Sequence, residues 1–141
     1  LSDPLVLRRV SAGGVEVLAE PQGPDRWVYP RLDLIVGERA PKGATGLAFQ
    51  LTLLEGSGQF RVIWREEGGA GYVSDLVAGP NPGQTIEAVA AFEGAAFGTG
   101  WSPPDPNSKL DPGLVNAVKI GLNTKDARVK YVIRNARWIS F

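Results

Sequence analysis

Apolar side chains recur at every second position along much of this chain, in short runs broken by glycine and proline. The clearest run is at 47–54, where Leu47, Phe49, Leu51 and Leu53 share one parity and Ala48, Gln50 and Thr52 share the other. A period of two sends successive side chains to opposite faces of an extended backbone, so this run predicts a half-buried strand. The same reading predicts strands at 15–19, 29–36, 60–66, 72–77, 85–92, 117–122 and 129–141. Turn residues separate them: Pro21, Gly23, Pro24 and Asp25; the tight Glu55-Gly56-Ser57-Gly58; and Pro80-Asn81-Pro82-Gly83. Gly68-Gly69-Ala70-Gly71 lies between 60–66 and 72–77, which predicts a hairpin. Long stretches with the 3.6-residue period of a helix are missing.

About eight strands at regular spacing predict an all-β fold, a two-sheet antiparallel β-sandwich of jelly-roll type. A closed barrel has the same periodicity and stays open as an alternative. Shared parity predicts a core containing Leu32, Leu34, Leu47, Phe49, Leu51, Val118, Ile120, Val129 and Tyr131. Trp64 shares parity with Phe60 and Val62 and is expected inside, as is Trp138 in the closing strand.

Composition narrows the functional classes. The 141 residues suit one domain spanning 1–141, and the lack of an initiator Met or signal-like start reads as a mature form or, as expected here, a module excised from a larger protein. Lys plus Arg and Asp plus Glu number 15 each, so no net field draws nucleic acid or an anionic membrane. No apolar run approaches the length of a membrane span. The chain contains neither Cys nor His, which removes disulfides, thiol nucleophiles, Ser-His-Asp triads and the commonest zinc ligands. No phosphate-binding loop follows a strand. Glu66, Glu67, Glu87 and Glu93 are present, but no spacing marks two of them as a glycosidase pair.

Two features hold candidate chemistry. Residues 93–113 form a long stretch rich in Gly, Pro, Asp, Ser and Asn. Within it Asp105, Asn107 and Asp111 partly match a calcium loop but lack its central Gly and terminal Glu, so turn chemistry competes with metal binding and no metal is assigned. Trp101 stands in the same stretch, where no alternation gives it a buried face. It reads either as a ring on which a sugar stacks or as a lid over one end of the core. The second feature is a polar face made of Tyr29, Arg31, Asp33, Gln50, Thr52, Arg61 and Arg65, to which the aromatic Tyr72 is added. Planar Arg, Asp and Gln side chains match vicinal hydroxyls, although an ordinary solvated face has the same composition.

The C-terminal half resembles a known family. Its run is Phe92-Glu93-Gly94, Trp101, Lys109-Leu110-Asp111, Leu114-Val115, the strand from Ala117 to Asn123, and the strand from Val129 to Trp138. This order is similar to the closing third of galactose-binding-like β-sandwiches, above all the carbohydrate-binding modules appended to plant-polysaccharide hydrolases and their complex I intermediate-associated relatives. Gly46-Leu47-Ala48-Phe49, Phe60-Arg61-Val62 and Gly71-Tyr72 fit the hairpin pattern of that fold. The resemblance covers roughly residues 29–141. It implies a non-catalytic module of a secreted glycoside hydrolase, extracellular or cell-surface, whose partners are a polysaccharide or oligosaccharide and a tethered catalytic domain. It does not locate the calcium site usual in the family, and no cofactor is assigned. The alternative is a structural β-sandwich that packs against a neighbouring catalytic domain and binds no sugar.

Overall fold

The computed structural model describes residues 5–10, 14–20, 26–31, 39–76 and 79–140. Among these the chain forms ten strands: β1 (Leu5–Val10), β2 (Gly14–Ala19), β3 (Arg26–Val28), β4 (Gly46–Glu55), β5 (Gln59–Glu66), β6 (Gly71–Asp75), β7 (Thr85–Ala91), β8 (Ala96–Phe97), β9 (Val115–Thr124) and β10 (Val129–Ile139). They make two antiparallel five-stranded sheets, one in the order β1-β2-β10-β4-β7 and the other β3-β9-β5-β6-β8. The two-sheet sandwich expected from periodicity is therefore the observed fold, and the closed barrel is not. Among the described residues no helix is long and apolar enough to cross a membrane.

The core lies between the sheets and follows strand parity. Leu47, Phe49 and Leu51 of β4, Val118 and Ile120 of β9, and Val129 and Tyr131 of β10 are all buried. Leu32 and Leu34, expected beside them, lie outside the described residues. Phe60, Val62 and Trp64 alternate inward along β5, which leaves Arg61, Ile63 and Arg65 on the outer face. Each fully buried Leu, Ile or Phe contributes about 1.5–3 kcal/mol relative to exposure, so this alternation is the main force selecting the register.

Aromatic contacts and one polar relay tie the layers together. Phe60 meets Tyr131 edge to face at 5.2 Å, and Trp64 packs on Phe92 at 4.8 Å. The buried Trp64 Nε1 donates to Ser74 Oγ at 2.9 Å, and that hydroxyl donates to the Ala91 carbonyl at 2.9 Å. Ser74 thus joins β6 of one sheet to the end of β7 in the other. Tyr131 Oη donates to the Ile120 carbonyl at 2.8 Å.

The predicted hairpin between 60–66 and 72–77 is present, with Arg61 opposite Asp75 and Trp64 opposite Tyr72. The turn at 55–58 does something else. It joins β4 to β5, which belong to different sheets, so it carries the chain across the sandwich.

Candidate functional site

The outer face of the β3-β9-β5-β6-β8 sheet carries an open groove of about 610 Å³. Its floor is the small apolar surface of Ile63, Val73 and Ala96, and its polar lining is Arg61, Arg65, Asp75, Lys119 and Asn123. Tyr29 stands at the β3 and β9 side, Trp101 at the β6 and β8 side. Arg61 and Arg65 are four residues apart on one strand, which spaces their backbones by about 13 Å.

Tyr29 reaches the face because of one glycine. A Cβ at Gly121 would collide with the Val28 carbonyl and approach Tyr29 Cα, so β9 can let the chain after β3 cross closely over it only where no side chain stands. The crossing sets Tyr29 Oη 2.7 Å from Asn123 Oδ1, to which it donates. Burial raises the Tyr29 phenol above its ordinary value, opposed by the neighbouring Arg61 guanidinium. Arg61 Nε in turn donates to Asp75 Oδ1 at 2.6 Å, an ion pair that holds the guanidinium charged and oriented across the floor.

Trp101 is 42% exposed and is held by glycines too. A Cβ at either Gly71 or Gly98 would run into its indole, so both positions leave room for the ring. The Arg65 guanidinium lies over the ring at 5.0 Å and also donates to the Gly69 carbonyl at 2.9 Å. The long loop around Trp101 is pinned to the β5–β6 hairpin. Gly71 N donates to Ser102 Oγ, Tyr72 Oη to Asp105 Oδ2, and Asp111 N to Glu66 Oε2. Glu66 is only 5% exposed, and burial raises its carboxyl above the ordinary range, with the nearby Asp105 adding to the rise and the Asp111 amide opposing it.

The oxygen-rich part of this loop follows the turn-chemistry reading. Asn107 Oδ1 accepts from Lys109 N, and Asp111 Oδ1 caps the short 3-10 turn at 112–114 through Gly113 N. Among the described residues no group of three acidic side chains is placed to hold a metal ion.

Comparisons with known proteins bear on the fold. No family model matches the sequence, and no curated protein does. Solved structures do match in fold. A family 11 carbohydrate-binding module of a cellulosomal cellulase of Clostridium thermocellum superposes with a TM-score of 0.69 at 14% identity, over 99% of this chain and 82% of that one. The chain has the β-sandwich fold of a family 11 carbohydrate-binding module. Such a module from the same organism, in complex with a β-1,3-1,4-mixed-linked tetrasaccharide, matches with a TM-score of 0.68 at 13% identity, over 99% of this chain and 83% of that one. An agarase matches with a TM-score of 0.65 at 15% identity, where this chain spans 24% of the larger one.

On this carbohydrate-binding-module fold the candidate residues divide. Tyr29, Arg61, Arg65 and Trp101 line one groove together. Arg31 is exposed and pairs through its backbone with Lys119, at the edge of the same face. Asp33 lies outside the described residues. Gln50 and Thr52 do not join the groove, which corrects the single polar face expected from the sequence. Both sit on β4 in the opposite sheet, where Gln50 Nε2 donates to Glu87 Oε1 at 2.8 Å and Thr52 shares a hydrogen bond with Thr85 at 2.7 Å. Parity identifies a face within one strand but not which sheet owns the strand. Tyr72 is also corrected: it is 1% exposed, opposite Trp64, with its ring in the core. Burial and Asp105 push its phenol far above the ordinary value. The sequence reading missed Lys119, Asn123 and Asp75. Lys119 and Asn123 alternate with Val118, Ile120 and Leu122, so their outward parity was legible once β9 was known to be central.

Proposed function

We propose that this domain binds a short stretch of a polysaccharide in the groove and carries out no bond-breaking step there. The observation that carries the reading is the lining itself. An aromatic ring stands at each side, with oriented Arg61, Asp75 and Asn123 side chains between them. Rings offer flat surfaces to sugar C–H faces, and planar polar groups meet the hydroxyls. The fold shared with modules that include one in complex with a β-1,3-1,4-mixed-linked tetrasaccharide supports the same reading.

The acid inventory supports a binding role over a glycosidase. Hydrolysis of a glycosidic bond uses two carboxyl groups flanking it. Among the described residues Asp75 is the single carboxylate lining the groove, and Arg61 already occupies it. As a module beside a polysaccharide-degrading catalytic domain, outside the cell, the domain would hold that domain at its substrate and raise its effective concentration.

Tryptophan fluorescence during titration with a panel of oligosaccharides tests the proposal. A bound sugar is expected to shift or quench the emission, and Trp101→Ala to remove most of the change, because among the described residues Trp101 is the tryptophan that lines the groove. A wild-type spectrum and thermal melt that stay unchanged across the whole panel would reject sugar binding.

A further inference from the structure

The chain has no net charge, yet its charges are not evenly spread. Arg61, Arg65 and Lys119 line the groove and Arg31 lies beside Lys119, against one lining carboxylate, Asp75. Asp75 is committed to Arg61 at 2.6 Å. Arg65 satisfies one donor on the Gly69 carbonyl, a neutral group, and its guanidinium lies over Trp101. Among the described residues no carboxylate stands within ion-pair distance of Arg31, Arg65 or Lys119. Arg65 and Lys119 in the groove, and Arg31 beside Lys119 at its edge, are therefore without a counter-ion from the described chain.

Lys119 records the consequence. Its ammonium is held below the ordinary lysine value, first by burial and then by the like charges of Arg65 and Arg31. Cations crowded this way repel one another, and Lys119 is partly desolvated as well, an arrangement that an arriving anion would relieve. A ligand bearing only hydroxyls would leave that repulsion in place.

Resting on the sugar-binding reading above, we infer that the groove is built for an anionic glycan, one bearing carboxylate or sulfate groups, with Lys119, Arg65 and Arg31 meeting the negative charges while Trp101 and Tyr29 hold the sugar rings. Guanidinium groups pair with carboxylate or sulfate oxygens through two parallel hydrogen bonds, and such charge-assisted bonds are roughly twice as strong as neutral ones. Spacing the cations along the groove sets the spacing of charged residues that the glycan must present.

The test is calorimetric titration of the purified domain with oligosaccharides of matched length: an oligogalacturonate, a sulfated galactan oligosaccharide, and a neutral β-1,3-1,4-linked gluco-oligosaccharide. A single-stranded oligonucleotide is the fourth arm. The expected result is that one anionic saccharide binds about tenfold or more tightly than the neutral one at low salt. That advantage should shrink when NaCl rises from about 20 mM to about 500 mM, as screening requires. Which anionic arm binds names the charged group. Lys119→Gln should weaken that binding several-fold without lowering the melting temperature, and Lys119→Arg should restore it. A neutral saccharide that binds as tightly as the anionic ones, insensitive to salt and to Lys119→Gln, would overturn the charge inference and leave the sugar-binding reading standing. Absence of binding to every saccharide would remove both, and binding of the oligonucleotide alone would reject the glycan as ligand.

Discussion

The guanidinium carbon of Arg65 stands 5.0 Å from the centre of the Trp101 ring, and both side chains close in on Gly71, where a Cβ would meet each of them. Trp101 comes from a long loop and Arg65 from a central strand, so the pair fixes one end of the groove to the sheet. The ring is positioned by the absence of side chains beneath it. Gly98→Ala should therefore push Trp101 off its seat without disturbing the core, since the added methyl meets the indole rather than the packed interior. We expect a shifted tryptophan emission and weakened saccharide binding, with the melting temperature lowered far less than by a core truncation. An unchanged spectrum in the variant would show that Trp101 is seated by something else.

The opposite sheet supplies the control. Gln50 and Thr52 are engaged with Glu87 and Thr85 away from the groove. Gln50→Ala and Thr52→Ala should leave saccharide affinity within error of wild type, with stability changed by no more than about 0.5–1 kcal/mol. Asp75→Ala, in contrast, frees Arg61 from its partner and should change affinity at the groove while the core remains folded. Titration of the three variants side by side separates the two faces.

Ser74 carries a structural prediction. Ser74→Ala leaves the Trp64 indole N–H without its acceptor and the Ala91 carbonyl without its side-chain donor, both at the junction of the sheets. A loss of about 1–3 kcal/mol in unfolding free energy is expected, the usual cost of stranding a buried polar group. Denaturant unfolding measures it, and no loss would mean that the relay is dispensable.

Glu66 makes stability depend on pH in a stated direction. Its carboxyl titrates above the ordinary glutamate range in the folded chain, chiefly because it is buried and also because Asp105 is near. The folded state therefore keeps this proton over a window in which the unfolded state has lost it, so stability falls as pH rises from about 4.3 toward the raised folded value. Asp105, Asp111 and Tyr72 surround the group, and no cation pairs with it among the described ion pairs. Glu66→Gln keeps an acceptor for Asp111 N and has no proton to lose. Melting curves between about pH 4 and pH 7 should be flatter for the variant than for the wild type, and the variant should be the more stable of the two at neutral pH. Equal slopes would remove Glu66 as the cause.

Much of this protein was legible before any coordinates. A two-residue period needs only that one face of a strand be dry and the other wet, so Leu47, Phe49 and Leu51 declared their burial from neighbours two positions away. Trp101 likewise stood out because no such pattern surrounded it. Three decisions needed the tertiary structure. Sheet membership is set by long-range pairing, and it separated Gln50 and Thr52 from Arg61 and Arg65 although their strands are consecutive. Parity itself can be reset: β10 carries one more residue than β4 between Arg134 and Arg137, and Asn135 takes up a φ of 57°. That bulge turns Ala136 and Trp138 toward the core, after Val129, Tyr131 and Ile133 had faced it from the other parity. The groove is the third. Its charges come from β5, β6 and β9, and its rings from the crossing after β3 and the loop after β8, so a count of fifteen cations and fifteen anions along the chain could not show that three cations meet where one anion does not suffice. Local periodicity follows from solvent on one side of a strand, whereas a site is assembled by which strands pair, and that is decided by contacts far apart in sequence.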